Sequence, residues 1–401
     1  MTVEERGREA KASKRILAIV TLSHAMQHLF VGLSILFPIM IAELNLSYSS
    51  FGLIIGISSF IGGILQIVFS MSSRAVARHI LLAIGDFLIF IGGALTSLAN
   101  GFIDFLLARS IFSIGVAPQH PMGAAILSDK YDEKTLGRAI GFFFGLAYIG
   151  NIVGPVAATL LSVYMGWRGA FLVFSLPPII IGFLLLFCLR GRRPKHISSV
   201  KSSIKSDTMS LLSEKSIILI LIALAINSGG TDLTIMTTYI PIFLANGIGA
   251  DTYERGIIYT IGLLGGVIGP VMLGKYSAKI GYLKGAIIST SVSAILTYLL
   301  IIYTTPNLAI AIHIFCLFFM SFSIATLTQS YLLSTTEGYA KDLAVGVYFT
   351  TNFIFVSIWS SIMGFLLDYF TSFTPVLAVM GTLGLASSGI LIASRRFGLK
   401  Q

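Results

Sequence analysis

Residues 190–216 read RGRRPKHISSVKSSIKSDTMSLLSEKS. They form the one long polar stretch in a chain of 401 residues that is 55% hydrophobic and only 11% charged. Soluble domains carry roughly 25% charged residues, so a water-facing surface cannot be assembled from this composition. The stretch is basic and rich in serine. It reads as a linker, 191–215, with a segment lying on the membrane surface, its cations facing anionic lipid. It cuts the chain into an N-terminal half, 1–190, and a C-terminal half, 216–401.

Either side of this cut, apolar runs fall near 15–42, 48–70, 79–98, 103–127, 138–163, 170–190, 216–245, 256–274, 284–304, 307–333, 343–367 and 373–394. A spanning helix needs about 20 apolar residues, and lipid leaves no backbone group unpaired, so each run is expected to be a transmembrane helix. The expected fold class is an all-α membrane protein of twelve transmembrane helices in two six-helix bundles. The charged start, MTVEERGREAKASKR, leads into a full apolar run without a small-residue cleavage site, which reads as a retained helix and not a signal peptide.

Charge placement tests the count. With the N-terminus cytoplasmic and the spans alternating, 24 of the 27 Lys and Arg residues fall on the inner side. Arg168 and Arg255 fall outside, and Arg109 lies within a span. A wrong number of spans would scramble this alternation, so both termini are expected in the cytoplasm. The basic excess therefore tracks a lipid bilayer, and no nucleic-acid partner is expected. Cys188 and Cys316 sit in separate apolar runs and read as reduced packing residues.

The fifth run carries Gly150-x-x-x-Gly154-Pro155, and Gly166-Trp167-Arg168-Gly-Ala-Phe171 opens the sixth. Glycines four apart let helices approach closely, and Pro155 bends a helix where gating needs it. Lys134-Thr-Leu-Gly137-Arg-Ala-Ile-Gly141 before the fifth run is echoed by Lys341-Asp-Leu-Ala-Val-Gly346 before the eleventh. Together with Arg109, Ser113 and Gly115 in the fourth run, these pieces resemble the major facilitator superfamily, with the glycine–proline element similar to that of its antiporters. The resemblance implies the major facilitator fold, whose halves are related by an axis along the membrane normal. The usual acidic loop signature is missing: Ser70-Met-Ser-Ser-Arg74-Ala-Val-Ala-Arg78-His79 has no acid, and Ala278 stands where the second copy would carry one. The charge lock that the family's signature implies for the inward gate is then lacking here unless Asp86 serves instead. Within the superfamily, Ser23-His24-x-x-x-His28, Glu43-Leu-Asn-Leu-Ser-Tyr-Ser with Gly52, Gln66, and Ile114-Gly115 before His120-Pro121-x-Gly123 are similar to fosmidomycin-resistance-type exporters.

Ionisable groups at mid-membrane cost about 2.5–3.5 kcal/mol on insertion scales, so each one needs a reason. His24 and His28 share a helix face with Gln27 beside them, about 14–20 Å from the inner side if the helix starts near Arg15. Imidazole suits a proton relay or recognition of an anion, and equally a bond to a neighbouring helix. Arg109 keeps its proton and so marks a wet cavity, an anion site, or a pair with Asp104. Asp232 heads the acids within spans, with Asn227, Thr231, Thr234 and Thr238 expected as a polar stripe on the seventh helix. It is a candidate proton carrier, or an outer-gate residue about 24 Å up the helix. His120, between Pro118 and Pro121, is expected at a helix disturbance. Gln66 and Gln329 are further cavity candidates. Asp86, Asp368 and Glu337 read as interface or gate residues near span ends, and His313 as structural.

No phosphate loop and no Cys or His spacing for a metal occurs, so neither an enzyme nor a cofactor is expected. The expected function is secondary active transport in the cell (plasma) membrane by alternating access: proton-coupled export, an antiport, of a small anionic or amphipathic compound. The partners are the small-molecule substrate, protons and lipid, with the protein a monomer. Uptake of an organic acid or sugar by symport or uniport is the second reading, and a membrane-embedded sensor or enzyme the distant third.

Overall fold

The computed structural model describes residues 3–73, 75–128, 130–131, 139, 142–143, 145–189, 214–335 and 340–396. The linker 191–213, Arg74, Lys134, Gly137, Arg138, Gly141 and Glu337 lie outside them, as do the side chains of 3–10, Ala278 and 340–345. The described chain is helical throughout: α1 Val3–Gly32, α2 Phe37–Glu43, α3 Tyr48–Ser72, α4 Arg78–Ser97, α5 Phe102–Val116, α6 Gln119–Ser128 and α7 Ile149–Cys188. There follow α8 Lys215–Asn227, α9 Leu233–Ile242, α10 Thr252–Ile280, α11 Tyr282–Leu299, α12 Leu308–Thr335, α13 Ala340–Phe370 and α14 Phe373–Ser394. Ten helices among the described residues are long and apolar enough to cross a membrane, and α8 and α9 are shorter apolar ones.

Two compact units emerge. Unit 1 joins Met1–Leu33 to Ile61–Ser199, and unit 2 joins Ser34–Phe60 to Val200–Gln401. The core of unit 1 is Ile16, Val20, Leu82, Met122, Leu127 and Leu185, drawn from α1, α4, α6 and α7, together with Phe143. That of unit 2 is Ile220, Ala223, Leu283, Ala286, Leu327, Tyr331 and Leu391. On α7 the residues Ile149, Val153, Val156, Leu160 and Val163 recur every three or four positions and stay exposed. An apolar stripe facing outward is what lipid requires.

Local breaks follow from local chemistry. The first run does not stay α-helical. It tightens to a 3-10 turn at Leu33–Leu36 before α2, which starts with Pro38 in its first turn. Within unit 2, Arg255 reaches this turn, its Nε donating to Ile35 O at 3.0 Å, and Ser34 Oγ and Tyr259 Oη lie 2.8 Å apart. Arg255 is only 4% exposed, so the sequence reading that left it in an outer loop is corrected: it lies inside α10, satisfying backbone carbonyls.

The fifth and sixth runs meet at Gly166, whose φ of 67° and ψ of 175° interrupt α7. That left-handed backbone favours glycine. Trp167 is buried beside it, with the Arg168 guanidinium 4.2 Å from its ring centroid and bonded to Ala99 O. Of the two cysteines, both free, Cys316 is exposed on α12 and does not pack in the core as expected.

Candidate functional site

In unit 1, α1 presents His24, Gln27 and His28 to the junction of α5 and α6, and the close approach of α7 completes the cluster. A Cβ built on Gly150 would lie 2.9 Å from Ala25 O, and one on Gly154 would lie 2.6 Å from Leu29 O. The two glycines thus let α7 sit directly against α1.

The three histidine rings converge. His24 lies 4.9 Å from both His28 and His120 between ring centroids, and stacks on Phe143 at 4.4 Å. His28 meets Tyr148 edge-on. Its Nδ1 lies 3.1 Å from Asn151 Oδ1, which can only accept, so Nδ1 carries the hydrogen. The Gln27 amide nitrogen is 3.5 Å from His28 Nε2 and 3.4 Å from His120 Nε2. With its two hydrogens facing them, both Nε2 atoms are acceptors. A proton added to either Nε2 would replace the lone pair that Gln27 bonds.

One turn of chemistry away lies a second group that the sequence reading misplaced. Asp86, read as a residue near a span end, is buried inside α4 with no exposed surface. Ser23 Oγ is 2.8 Å from Asp86 Oδ2 and 3.0 Å from Gln119 Oε1, and Gln119 Nε2 donates to Asp86 Oδ1 at 2.9 Å. Ser23 and Gln119 immediately precede His24 and His120 in sequence. The signal was available in Ser23-His24 and Gln119-His120, but only the histidines were singled out.

Arg109, on α5, stacks over Phe112 at 4.9 Å, and its buried Nε has no hydrogen-bond partner. Asp104, the alternative partner considered above, accepts from the Asn100 backbone N–H instead. Gln66 is half-buried on α3 and joins none of these contacts.

Unit 2 departs further from expectation. The seventh run is not one helix, so Asn227, Thr231, Thr234 and Thr238 do not form a continuous stripe. It breaks at Ser228–Asp232, and Asp232 caps α9, accepting from Thr234 N at 2.8 Å. Ser228-Gly229-Gly230 before an Asp is a helix stop followed by a helix start, and the pair of glycines was the overlooked signal. Trp359 covers Gly229, and a Cβ on Gly230 would meet Gly384 N at 2.8 Å.

Around this break Ser228 Oγ donates to Asn352 Oδ1, and Asn352 also bonds Asp232. Gln329 bonds Tyr348, whose hydroxyl lies 3.0 Å from Thr328 Oγ1. Asn227 takes part in a separate chain, accepting from Thr231, which in turn accepts from Ser293. His313 bonds Leu296 O and Tyr303, as a structural residue should. Asp368 accepts from Tyr48 N and Ser49 N and from the Ser49 hydroxyl, capping α3 within unit 2. Among the described residues, no group of three His, Cys, Asp or Glu is placed to hold a metal ion.

These arrangements can be set beside known proteins. The Major Facilitator Superfamily model matches residues 17–360. The chain is 24% identical over 369 residues to a probable L-galactonate transporter of Escherichia coli (strain K12), covering 84% of this chain and 79% of that one. It is 28% identical over 115 residues to the multidrug resistance protein MdtL of Salmonella paratyphi B, spanning 29% of each. A bacterial homolog of the human lysosomal transporter Spinster, solved inward-facing and unoccupied, has the same fold, with a TM-score of 0.73 over 96% of both chains at 16% identity.

Proposed function

Since the chain belongs to the Major Facilitator Superfamily and is thus a multi-pass plasma-membrane transporter of small molecules, not an enzyme, we propose that it exports a small anionic or amphipathic compound in exchange for protons. The observation that carries this reading is the pairing, within unit 1, of three converging imidazoles with an arginine that has no counter-ion. No ion pair of Arg109 occurs among the described residues, and an unpaired guanidinium at membrane depth calls for an anion. The imidazoles supply side chains able to bind and pass on a proton.

Support for twelve spans comes from two places. The 40-residue α7 holds one run on each side of Gly166, and α8 with α9 makes a broken twelfth. Discontinuous helices of this kind carry substrate and coupling-ion sites in many transporters. With the lysines and arginines concentrated in alternate connections, both termini are taken as cytoplasmic. The protein is taken to act as a monomer. Short motifs such as Ser23-His24-x-x-x-His28 favour a phosphonate like fosmidomycin as cargo, and the MdtL segment favours efflux.

A specific observation favours a second reading. The L-galactonate transporter matches most of this chain, so uptake of a sugar acid by symport is the alternative. Proteoliposomes separate the two, with L-galactonate and fosmidomycin as probes. Accumulation in vesicles made acidic inside marks antiport, accumulation in vesicles made alkaline inside marks symport, and exchange indifferent to the gradient marks uniport. Absence of exchange for every anion tried would count against transport of this class. Arg109→Ala should abolish transport of either anion while leaving the melting profile unchanged; retained transport would remove Arg109 from the substrate site.

A further inference from the structure

We propose that Asp86, Ser23 and Gln119 form a proton-binding site, a closed hydrogen-bonded ring that is complete only when the Asp86 carboxyl group carries a proton. The inference rests on the proton-coupled reading above and adds to it the group that holds the proton.

With the acid ionised, the ring is one hydrogen short. The three side chains make three mutual contacts, at 2.8, 3.0 and 2.9 Å, all within hydrogen-bond range. Each such contact needs one hydrogen between its two heavy atoms. Ser23 supplies one, and the Gln119 amide supplies one toward Asp86. An ionised Asp86 supplies none, so the charged ring has two hydrogens for three contacts, and two lone pairs must face each other at one of them. Reversing the Gln119 amide does not help, because its oxygen would then face a carboxylate oxygen. A proton on Asp86 closes the ring either way. In the orientation observed, Asp86 Oδ2–H donates to Ser23, Ser23 donates to Gln119 Oε1, and Gln119 Nε2 donates to Asp86 Oδ1.

Surroundings point the same way. Ser23, Asp86 and Gln119 are each 0% exposed, so no bulk water supplies the missing hydrogen. A buried carboxylate without a cation is strongly disfavoured. The titratable groups on the neighbouring elements are His24 and His28 on α1, His120 on α6 and Arg109 on α5; His28 faces Asn151, Gln27 lies between His28 and His120, and Arg109 lies over Phe112. On α4 itself Arg78 donates to Ala125 O, and on α7 Arg168 bonds Ala99 O. His79, also on α4, stands two turns before Asp86.

The ring also has a way to open. Its members come from α1, α4 and α6, and two of them are backbone neighbours of His24 and His120. A shift of α1 away from α4 and α6 takes Ser23 from both its partners and opens the ring, and water entering there accepts the Asp86 proton and solvates the carboxylate.

Infrared difference spectroscopy of the full-length protein in lipid, titrated from acid to alkaline pH, tests the site without any substrate. The wild type should show a protonated-carboxyl C=O band at neutral pH that shifts in D2O and is missing from Asp86→Asn. The asparagine amide can donate to Ser23 and keep the ring, so this variant should fold. Ser23→Ala, which removes one member, should move the same band. Identical carboxyl spectra in wild type and Asp86→Asn would overturn the proposal, and so would a band untouched by Ser23→Ala. A band that behaves as expected in a protein whose transport ignores pH gradients would leave the site standing and refute proton-coupled export instead.

Discussion

Each unit contains a polar interruption of an apolar helix, at Pro118 in unit 1 and at Ser228–Asp232 in unit 2, and the two are built by different physics. In unit 1, α5 passes into α6 at Ala117 and Pro118 without leaving the helical region: Ala117 has φ −54° and ψ −41°, and Met122 N still donates to Pro118 O. What is lost is two donors, since Pro118 and Pro121 have no N–H. In unit 2, the chain between α8 and α9 unwinds. Gly230 N turns back to Asn227 O, and Asp232 is extended at φ −65° and ψ 146°. One break is written in the residue that makes it. The other is held by what packs over it, Trp359 on Gly229 and Gly384 on Gly230.

The contrast is broken most sharply at Gly230. A side chain there would press on the backbone of α14, with Met380 O at 2.9 Å and Gly384 N at 2.8 Å from the first added carbon. Gly230→Leu should therefore destabilise the protein by about 3 kcal/mol, the upper range for overpacking. Thermal unfolding in detergent measures it, with Gly389→Leu on α14 as control, since nothing lies within 4 Å of a Cβ there. Equal melting of the two variants would mean that packing does not hold the break.

At the proline break the sign reverses. Pro118→Ala returns an N–H that can reach Ile114 O, worth about 1 kcal/mol, against loss of the ring contact with Gly85. The melting midpoint should rise modestly. A fall would show that the ring's packing outweighs the restored hydrogen bond, and that this break too is maintained by its neighbours.

The same division decides what could be read in advance. Prolines announce themselves, so the disturbance around His120 was expected from Pro118 and Pro121 alone. The apolar runs were legible because lipid demands them, and the fold follows from their number and punctuation. The break at Asp232 was missed because the Gly229-Gly230 pair lies inside an apolar run, and what packs over it, Trp359 and Gly384, is more than a hundred residues away. Asp86 was missed for a related reason. Its position along the span looked peripheral, and its partners Ser23 and Gln119 are ordinary residues until the fold brings them together. Arg255, counted as an outer-loop cation, reaches a carbonyl freed by a 3-10 turn that its own neighbourhood does not reveal.

Asp232 gives the smallest effect and the finest distinction. As the cap of α9 it satisfies Thr234 N, and asparagine caps a helix about as well as aspartate. Asp232→Asn should thus change stability by only a few tenths of a kcal/mol, while Asp232→Ala loses the cap and about 1 kcal/mol. If the carboxylate also carries a proton in transport, both variants lose the response to an imposed pH gradient, and in the asparagine variant that loss comes without a change in melting. If Asp232 is a cap alone, Asp232→Asn transports as the wild type does under every gradient. The unwound segment of unit 2 would then serve to shape the protein, leaving proton traffic to the histidines and Asp86 of unit 1.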